Sequence, residues 1–171
     1  MRLFIAVELN RKMCDELLLL QKNLSEHGVT GNYTRPENLH ITLAFIGEYS
    51  DPEYVMDALE KVDLSSFAIE LKGTGNFGDL IFADLEGPEA MYTLVKNIRH
   101  QLADAGIPFD KKRFRAHITL VRKADTRKFR EREDITPGHA RMIVDRVSLM
   151  RSDRGKKGMI YTEMGCIYAD R

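Results

Sequence analysis

The chain has 171 residues, of which 43% are apolar and 30% charged, and this composition is typical of one soluble globular domain. We therefore treat residues 1–171 as a single domain. Its two cysteines, Cys14 and Cys166, form no CxxC motif, and a chain of this length buries enough surface to fold without a disulfide or structural metal. No apolar run reaches the length of a membrane span, so we expect a cytoplasmic protein that contacts no membrane.

The formal net charge is zero, but the charges are unevenly distributed along the chain. Residues 1–109 carry 9 Lys and Arg against 17 Asp and Glu, whereas residues 110–171 carry 17 against 9. A basic half can attract a polyanion such as a nucleic acid, although solvated surface charge is the commoner role of such residues.

The first third of the chain predicts two strands, at residues 2–9 and 39–46, each followed by a helix. Asn10 is a suitable cap for the first helix, and Gly28 is a suitable end. Ser50 and Glu53 form a capping box, which predicts a second helix that continues to residue 62.

The remainder predicts one helix and five strands. The helix begins at Pro88, which suits a first helical position because it has no N–H to satisfy, and it ends at Gly106. A charged segment is expected at 123–134. The predicted strands lie at 67–71, 80–85, 116–121, 142–150 and 159–168. About seven strands and three helices in mixed order indicate an α+β fold with helices packed on largely antiparallel sheets.

Glycine-rich nucleotide-binding loops are excluded. The one glycine cluster, at residues 73–78, lacks the spacing of GxGxxG and opens no helix, and the chain contains no GxxxxGK[ST].

A repeated tetrapeptide is the most informative feature of the sequence. His40-Ile41-Thr42-Leu43 recurs as His117-Ile118-Thr119-Leu120, 77 positions later, and each copy lies in a predicted strand. The pattern His-apolar-Thr-apolar is expected about 0.05 times by chance in such a chain, so two accidental copies have odds on the order of one in a thousand.

Side chains alternate across a strand, so each copy separates a polar row from an apolar row. His40 and Thr42 share one face, while Phe45 falls on the opposite, core face. In the second copy, His117 and Thr119 share a face. Either histidine alone could be a core residue bonded to backbone, but the matched pair favours a shared polar groove.

Further assignments follow from the same alternation and from the predicted loops. Arg115 falls on the face of His117 and is a candidate substrate-binding residue, with a solvated surface charge as the alternative, whereas Arg122 falls on the opposite face. Tyr33 and Phe77 lie in predicted loops, and we regard them as better candidates for base stacking than a core-facing aromatic residue.

Two imidazoles and two hydroxyls on one groove suit phosphoester chemistry without a metal. One neutral histidine accepts a proton from the attacking group, and the other, protonated, donates one to the leaving oxygen. The threonines would donate hydrogen bonds to the phosphate oxygens. A metal site and a cofactor are not expected, because each copy offers one histidine without a carboxylate at ligand spacing. A Ser-His-Asp hydrolase is disfavoured, since GxSxG is absent.

The paired motifs resemble those of the 2H phosphoesterase superfamily. The similarity extends to RLFIAVEL at the start, NLHITLAFIGE at 38–48, GNFGDLIFADLEG at 75–87 and FRAHITLVRK at 114–123, which look in order and spacing like the RNA 2′,3′-cyclic phosphodiesterases of the LigT/ThpR type. Relatives of this type are also described as 2′-5′ RNA ligases. Many of them carry proline where this chain has Ala116.

The resemblance implies a bilobal α+β fold with pseudo-twofold symmetry, in which two sheets flanked by helices surround a central groove. It implies that His40 is the proton donor to the departing O3′ and that His117 is the proton acceptor that activates water. Thr42 and Thr119 would then bind the phosphate. The resemblance also places an arginine at the end of the second motif, where this chain has Arg122.

The expected activity is hydrolysis of an RNA terminal 2′,3′-cyclic phosphate to a 2′-phosphate. The expected partners are RNA ends or small cyclic nucleotides, and no obligate protein partner is evident. Two alternatives stay open, namely a 2′-5′ RNA ligase or phosphodiesterase that uses the same proton transfers, and a catalytically silent nucleotide-binding module.

Overall fold

The computed structural model describes residues 1–86, 89–130 and 138–170. Within these ranges the chain forms nine strands, three α-helices and one short 3₁₀ helix. The helices are α1 (Arg11–Glu26), α2 (Pro52–Leu59) and α3 (Glu89–Asp104), and the 3₁₀ helix is Pro36–Asn38. The strands are β1 (Arg2–Glu8), β2 (Thr30–Tyr33), β3 (His40–Glu48), β4 (Phe67–Phe77), β5 (Leu80–Glu86), β6 (His117–Asp125), β7 (Arg141–Val144), β8 (Arg146–Gly155) and β9 (Gly158–Tyr168).

The strands form two antiparallel sheets, which we call lobe 1 and lobe 2. Lobe 1 has the order β3-β1-β8-β9, and lobe 2 has the order β2-β6-β5-β4-β7. Four strands of each lobe correspond in order, with β3 matching β6 and β1 matching β5, so the two repeated tetrapeptides lie on equivalent strands. The predicted α+β, bilobal, pseudo-twofold architecture is confirmed.

The apolar faces of both sheets and the three helices enclose one continuous core. Ile41 and Leu43 of β3 are buried there, as are Ile118 and Leu120 of β6. The apolar rows of the two tetrapeptides therefore anchor both strands, as the alternation predicts.

The first helix has the predicted boundaries. The Asn10 side chain accepts a hydrogen bond from the Met13 N–H at 2.9 Å, which satisfies one free donor of the first turn. After α1 the chain turns at Gly28, whose φ of +97° is a conformation that a residue with a Cβ rarely adopts.

The second helix differs from its prediction at both ends. Its N-cap is Asp51, which accepts from the Tyr54 N–H at 3.1 Å, rather than Ser50. Pro52 then occupies the first helical position, for which its fixed φ is suited. The helix ends at Leu59 instead of residue 62. The predicted third-helix start, Pro88, lies outside the described residues.

Strand β2 was not predicted. Its sequence, TGNY, is short and largely exposed and shows no apolar alternation, so only its pairing with β6 makes it a strand. Strand β4 runs on to Phe77, six residues beyond its predicted end, and therefore contains most of the glycine cluster.

The predicted strand at 142–150 is wrong as a single strand. The chain breaks at Asp145, and β7 pairs with β4 in lobe 2 while β8 pairs with β1 in lobe 1. A continuous apolar pattern cannot reveal that the chain crosses between sheets. Of the predicted charged segment, residues 123–125 belong to β6, and residues 131–134 lie outside the described residues.

Candidate active site

His40 is the first residue of β3, and both nitrogens of its ring have partners. Nδ1 lies 2.6 Å from the Asn38 carbonyl oxygen, and Nε2 lies 2.8 Å from Thr42 Oγ1. Because a carbonyl only accepts, the proton of the neutral ring is on Nδ1, and the Thr42 hydroxyl donates to Nε2. The hydroxyl and Nε2 thus face the same side of β3.

His117, the first residue of β6, repeats the backbone contact of His40. Its Nδ1 lies 2.8 Å from the carbonyl oxygen of Arg115, again the residue two positions earlier. In both lobes Nδ1 is hydrogen-bonded to the backbone carbonyl oxygen two residues earlier, which places the proton of a neutral ring on Nδ1.

Aromatic side chains hold both imidazoles. The His40 ring lies 5.1 Å from the Phe4 ring and 5.2 Å, edge-on, from that of Tyr161. The His117 ring lies edge-on to Phe77 at 5.3 Å. Sequence analysis missed Phe4 and Tyr161, since nothing in their local sequence relates β1 or β9 to the motif on β3.

Burial lowers the pKa of His40 below its ordinary value of 6.5. The Asn38 carbonyl opposes this shift by stabilising the charged ring, while the charges of Arg122 and His117 lower the pKa further. Two groups of lobe 2 therefore act electrostatically on a histidine of lobe 1.

Three adjoining cavities run between the lobes, and together we call them the groove. The first, of about 610 Å³, is lined by His40 and Thr119, and the second, of about 260 Å³, by His40 and Thr42. The third, of about 390 Å³, is lined by Thr42 and His117. The structure thus brings the two histidines and two threonines of the repeated motif to one groove.

Two matching β-bulges follow the motifs. In β3, Thr42 pairs with Ala6 but Ala44 pairs with Ile5, so Leu43 is an extra residue. In β6, Thr119 pairs with Phe82 but Val121 pairs with Ile81, so Leu120 is extra. A bulge shifts the alternation by one residue, and every later side chain changes face.

The bulges overturn two of the predicted orientations. Phe45 lines the second and third cavities instead of facing the core, and Arg122 lines the first and second. Each lies five positions after its motif histidine. Strict alternation gave the wrong face for both residues, because the extra residue in each strand decides which face the following side chains occupy.

Arg115 lies beside His117, as its position predicts, but its guanidinium has partners within lobe 2. It forms an ion pair with Asp84 at 3.6 Å and lies over the Phe82 ring at 5.0 Å. Of the two stacking candidates, Tyr33 lines the first cavity and Phe77 the third, and both lie in strands rather than in loops.

The segment after β2 completes the first cavity, and sequence analysis did not identify it. Arg35 Nη2 and Asn38 Nδ2 both donate to the Met159 carbonyl of β9, at 2.7 and 2.9 Å. Lys157, in the β8–β9 turn, lines the same cavity. Asn38, whose carbonyl oxygen contacts His40 Nδ1, is therefore hydrogen-bonded to β9, the strand that carries Tyr161.

The described part of the chain comprises residues 1–86, 89–130 and 138–170. Within these ranges, His, Cys, Asp and Glu nowhere form a group of three that could hold a metal ion. Of the helices described there, each is too short or too polar to cross a membrane.

Comparison with known proteins identifies relatives along nearly the whole chain. A protein of Archaeoglobus fulgidus named RNA 2′,3′-cyclic phosphodiesterase is 30% identical, covering 99% of this chain and 97% of its own. A Thermotoga maritima protein of the same name is 28% identical, covering 94% and 91%.

Solved structures show the same fold. E. coli LigT complexed with 3′-AMP matches with a TM-score of 0.83 at 22% identity, over 99% of this chain and 98% of that one. A protein of Thermus thermophilus matches with a TM-score of 0.78 at 29% identity, over 98% and 97%. The family model described as the 2′-5′ RNA ligase superfamily matches residues 22–156. The chain, with its two equivalent His-x-Thr strands, is a member of the 2′-5′ RNA ligase superfamily.

Proposed function

We propose that this protein hydrolyses the 2′,3′-cyclic phosphate at the end of an RNA to a 2′-phosphate, with His40 and His117 as the proton-transfer pair. The names of its relatives support the reaction, and an imidazole at each side of one groove supports the mechanism. The observation that carries the proposal is that each motif histidine uses Nδ1 on a backbone carbonyl and lines the groove.

The bond changes need two proton transfers and no redox partner. Water attacks phosphorus and loses a proton to His117 Nε2, while the P–O3′ bond breaks and O3′ takes a proton from His40 Nε2. The product is a 2′-phosphate with a free 3′-hydroxyl. The two histidines exchange protonation states in each turnover and are reset by solvent.

The remaining groups of the groove stabilise the charge on phosphorus. The Thr42 and Thr119 hydroxyls donate to its non-bridging oxygens, and Arg122 supplies a positive charge at the same place. When Thr42 turns to the phosphate, it releases His40 Nε2, with which it bonds in the free protein.

Binding of the substrate prepares His40 to donate a proton. In the free protein burial favours its neutral form, because the pKa is lowered. An anionic phosphate placed beside the ring favours the imidazolium and partly offsets Arg122 and His117. Binding of the phosphate therefore increases the fraction of His40 that carries the proton it donates.

The test uses an oligonucleotide with a 2′,3′-cyclic phosphate end, incubated with the purified protein in excess EDTA. We expect undiminished conversion to the 2′-phosphate, and His40→Ala and His117→Ala each lowering turnover by at least about 100-fold. A 3′-phosphate product would overturn the assignment of O3′ as the leaving group. Loss of activity on chelation would overturn the metal-free mechanism, and binding without turnover would support a silent binding module.

Ligation is the second candidate, favoured by the name of the matching family model. A 5′-hydroxyl in place of water would attack the same phosphorus and leave a 2′-5′ linkage, with the same two proton transfers. Adding an oligonucleotide with a free 5′-hydroxyl to the assay distinguishes the two, since a joined product appears only if the hydroxyl competes with water.

A further inference from the structure

A buried glutamine of α1 contacts the strand that carries the second motif. Gln21 is 6% exposed and is the one polar side chain among the buried residues of its helix. Its Nε2 lies 2.9 Å from the Thr34 carbonyl oxygen and 3.0 Å from that of Leu120. Since carbonyl oxygens only accept, the amide nitrogen must donate to both.

The Leu120 carbonyl belongs to the extra residue of the β6 bulge. A bulge interrupts the regular ladder of hydrogen bonds, so contacts from outside the ladder help to hold its backbone in place. The Thr34 N–H donates to this oxygen at 2.9 Å, and Gln21 supplies the second donor. The glutamine therefore joins three elements, α1, the segment after β2 and β6, at the point where β6 changes register.

The bulge decides where Arg122 points. Under strict alternation this arginine falls on the face opposite His117, and one inserted residue turns it into the groove beside His40. A change in the bulge at Leu120 therefore moves the guanidinium of Arg122, which lies two positions later in the chain. This happens without a substitution of any side chain in the groove.

We infer that Gln21 is a positioning residue, whose amide fixes the Leu120 bulge and thereby directs Arg122 at the phosphate. Glutamine suits this place because its two N–H groups match two carbonyls, which neither a carboxylate nor an apolar side chain can do. This inference rests on the proposed function, in which Arg122 binds the phosphate.

The test compares Gln21→Met, which keeps the side-chain length but removes both donors, with Lys22→Met on the exposed side of the same helix. We expect Gln21→Met to lower kcat/KM on the cyclic-phosphate oligonucleotide by roughly tenfold or more, as displaced binding groups do. Lys22→Met should leave it unchanged. Thermal unfolding measured in parallel sets an assay temperature at which both variants are folded.

A double-mutant cycle separates positioning from general destabilisation. In an Arg122→Ala background the guanidinium that Gln21 would position is absent. We therefore expect Gln21→Met to lower kcat/KM by less than about threefold in that background. An equal loss in both backgrounds would show a merely structural glutamine and would overturn the inference. An unchanged kcat/KM in folded Gln21→Met would also overturn it.

Binding of inorganic phosphate, followed by calorimetry, gives a readout that does not depend on turnover. We expect Gln21→Met to weaken phosphate binding only when Arg122 is present. If the wild-type protein binds phosphate in this way but does not open the cyclic phosphate, the proposed function fails while the positioning role stands. Should Gln21→Met not fold, Gln21→Asn replaces it, because its amide is one methylene too short to reach both carbonyls.

Discussion

At the scale of single residues, the site depends on which nitrogen of each imidazole is occupied. The carbonyl oxygens of Asn38 and Arg115 accept hydrogen bonds from the Nδ1–H groups, so both neutral rings have the same tautomer. Their surroundings differ, however, because burial and the positive charges of lobe 2 act on His40 and lower its pKa. Repetition of the motif therefore gives two equivalent positions with different surroundings, and at His40 these surroundings favour the neutral ring in the free protein.

Because the pKa of His40 is lowered in the folded protein, we expect acidification to destabilise the fold. Below pH 6.5 the unfolded chain protonates this histidine while the folded protein keeps it neutral, so the free energy of unfolding falls as pH decreases toward the folded pKa. We expect this loss, at most about 1.4 kcal/mol per pH unit, to disappear in His40→Gln. Urea unfolding between pH 7 and 5 measures it, with His100→Gln, on the exposed side of α3, as the control. If the free energy of unfolding fell equally with pH in His40→Gln and in the wild type, His40 would not be the group responsible for the loss.

Arg122 should be more sensitive to substitution than its exposed position on β6 suggests. We expect Arg122→Ala to lower kcat/KM by about 100-fold, because it removes a charged donor from the phosphate, and Arg122→Lys to restore only part of it. The control is Arg127→Ala, since Arg127 is exposed and bound to Asp125. Steady-state kinetics on the cyclic-phosphate oligonucleotide measures all three, and an equal effect of Arg122→Ala and Arg127→Ala would remove Arg122 from the site.

At the scale of elements, the strands carry the four motif residues, but irregularities in the strands place the side chains around them. The extra residues Leu43 and Leu120 turn Phe45 and Arg122 into the groove. The weak strand β2 covers the free edge of β6 and leads into the segment that orients His40. Its close approach to β6 depends on Gly31, which has a φ of +152°.

A methyl group at Gly31 should loosen β2 from lobe 2. A Cβ there would lie 2.8 Å from Val121 Cγ1 and 3.0 Å from the Arg122 carbonyl oxygen, in a backbone conformation that side chains disfavour. We expect Gly31→Ala to reduce the free energy of unfolding by about 1–3 kcal/mol and to lower activity. Gly73→Ala in β4 is the matched control, since its Cβ would meet nothing within 4 Å. Denaturant titration compares them, and equal stabilities would show that the approach of β2 is not tight.

At the scale of the whole molecule, the uneven charge along the chain does not become an acidic lobe and a basic lobe. Lobe 1 combines β1 and β3 from the acidic part of the sequence with β8 and β9 from the basic part, and lobe 2 is mixed in the same way. Among the described residues, the lining of the first cavity includes the cationic side chains of Arg35, Arg122 and Lys157 and no carboxylate. In the proposed reaction, the anionic substrate strand would pass these side chains on its way to the histidines.

Activity on oligonucleotides should therefore fall with ionic strength. Each lysine or arginine that contacts a phosphate makes the slope of log(kcat/KM) against log[salt] more negative by about one. We expect Lys157→Ala to reduce that slope by about one, and Lys156→Ala, its exposed neighbour outside the cavity, to leave it unchanged. The measurement is kcat/KM between 50 and 200 mM salt, and identical slopes for the two variants would exclude a phosphate contact at Lys157.

Much of the fold followed from local patterns. Apolar periodicity and the caps located the cores of all three helices and most strands, because helix and strand periods are fixed by backbone geometry. The patterns failed where pairing decides structure. TGNY is a strand only because β6 accepts it, and the run at 142–150 divides between sheets at Asp145.

The four motif residues could be predicted from the amino-acid sequence, because a repeated His-x-Thr alternation is improbable by chance and places both side chains on one face of a strand. Their surroundings depend on how distant segments pack together. Phe45 and Arg122 reach the groove through one inserted residue in each strand, and Gln21 and Tyr161 come from elements far away in the chain. Register and long-range packing depend on contacts between distant segments, and a local pattern of side chains carries no record of them.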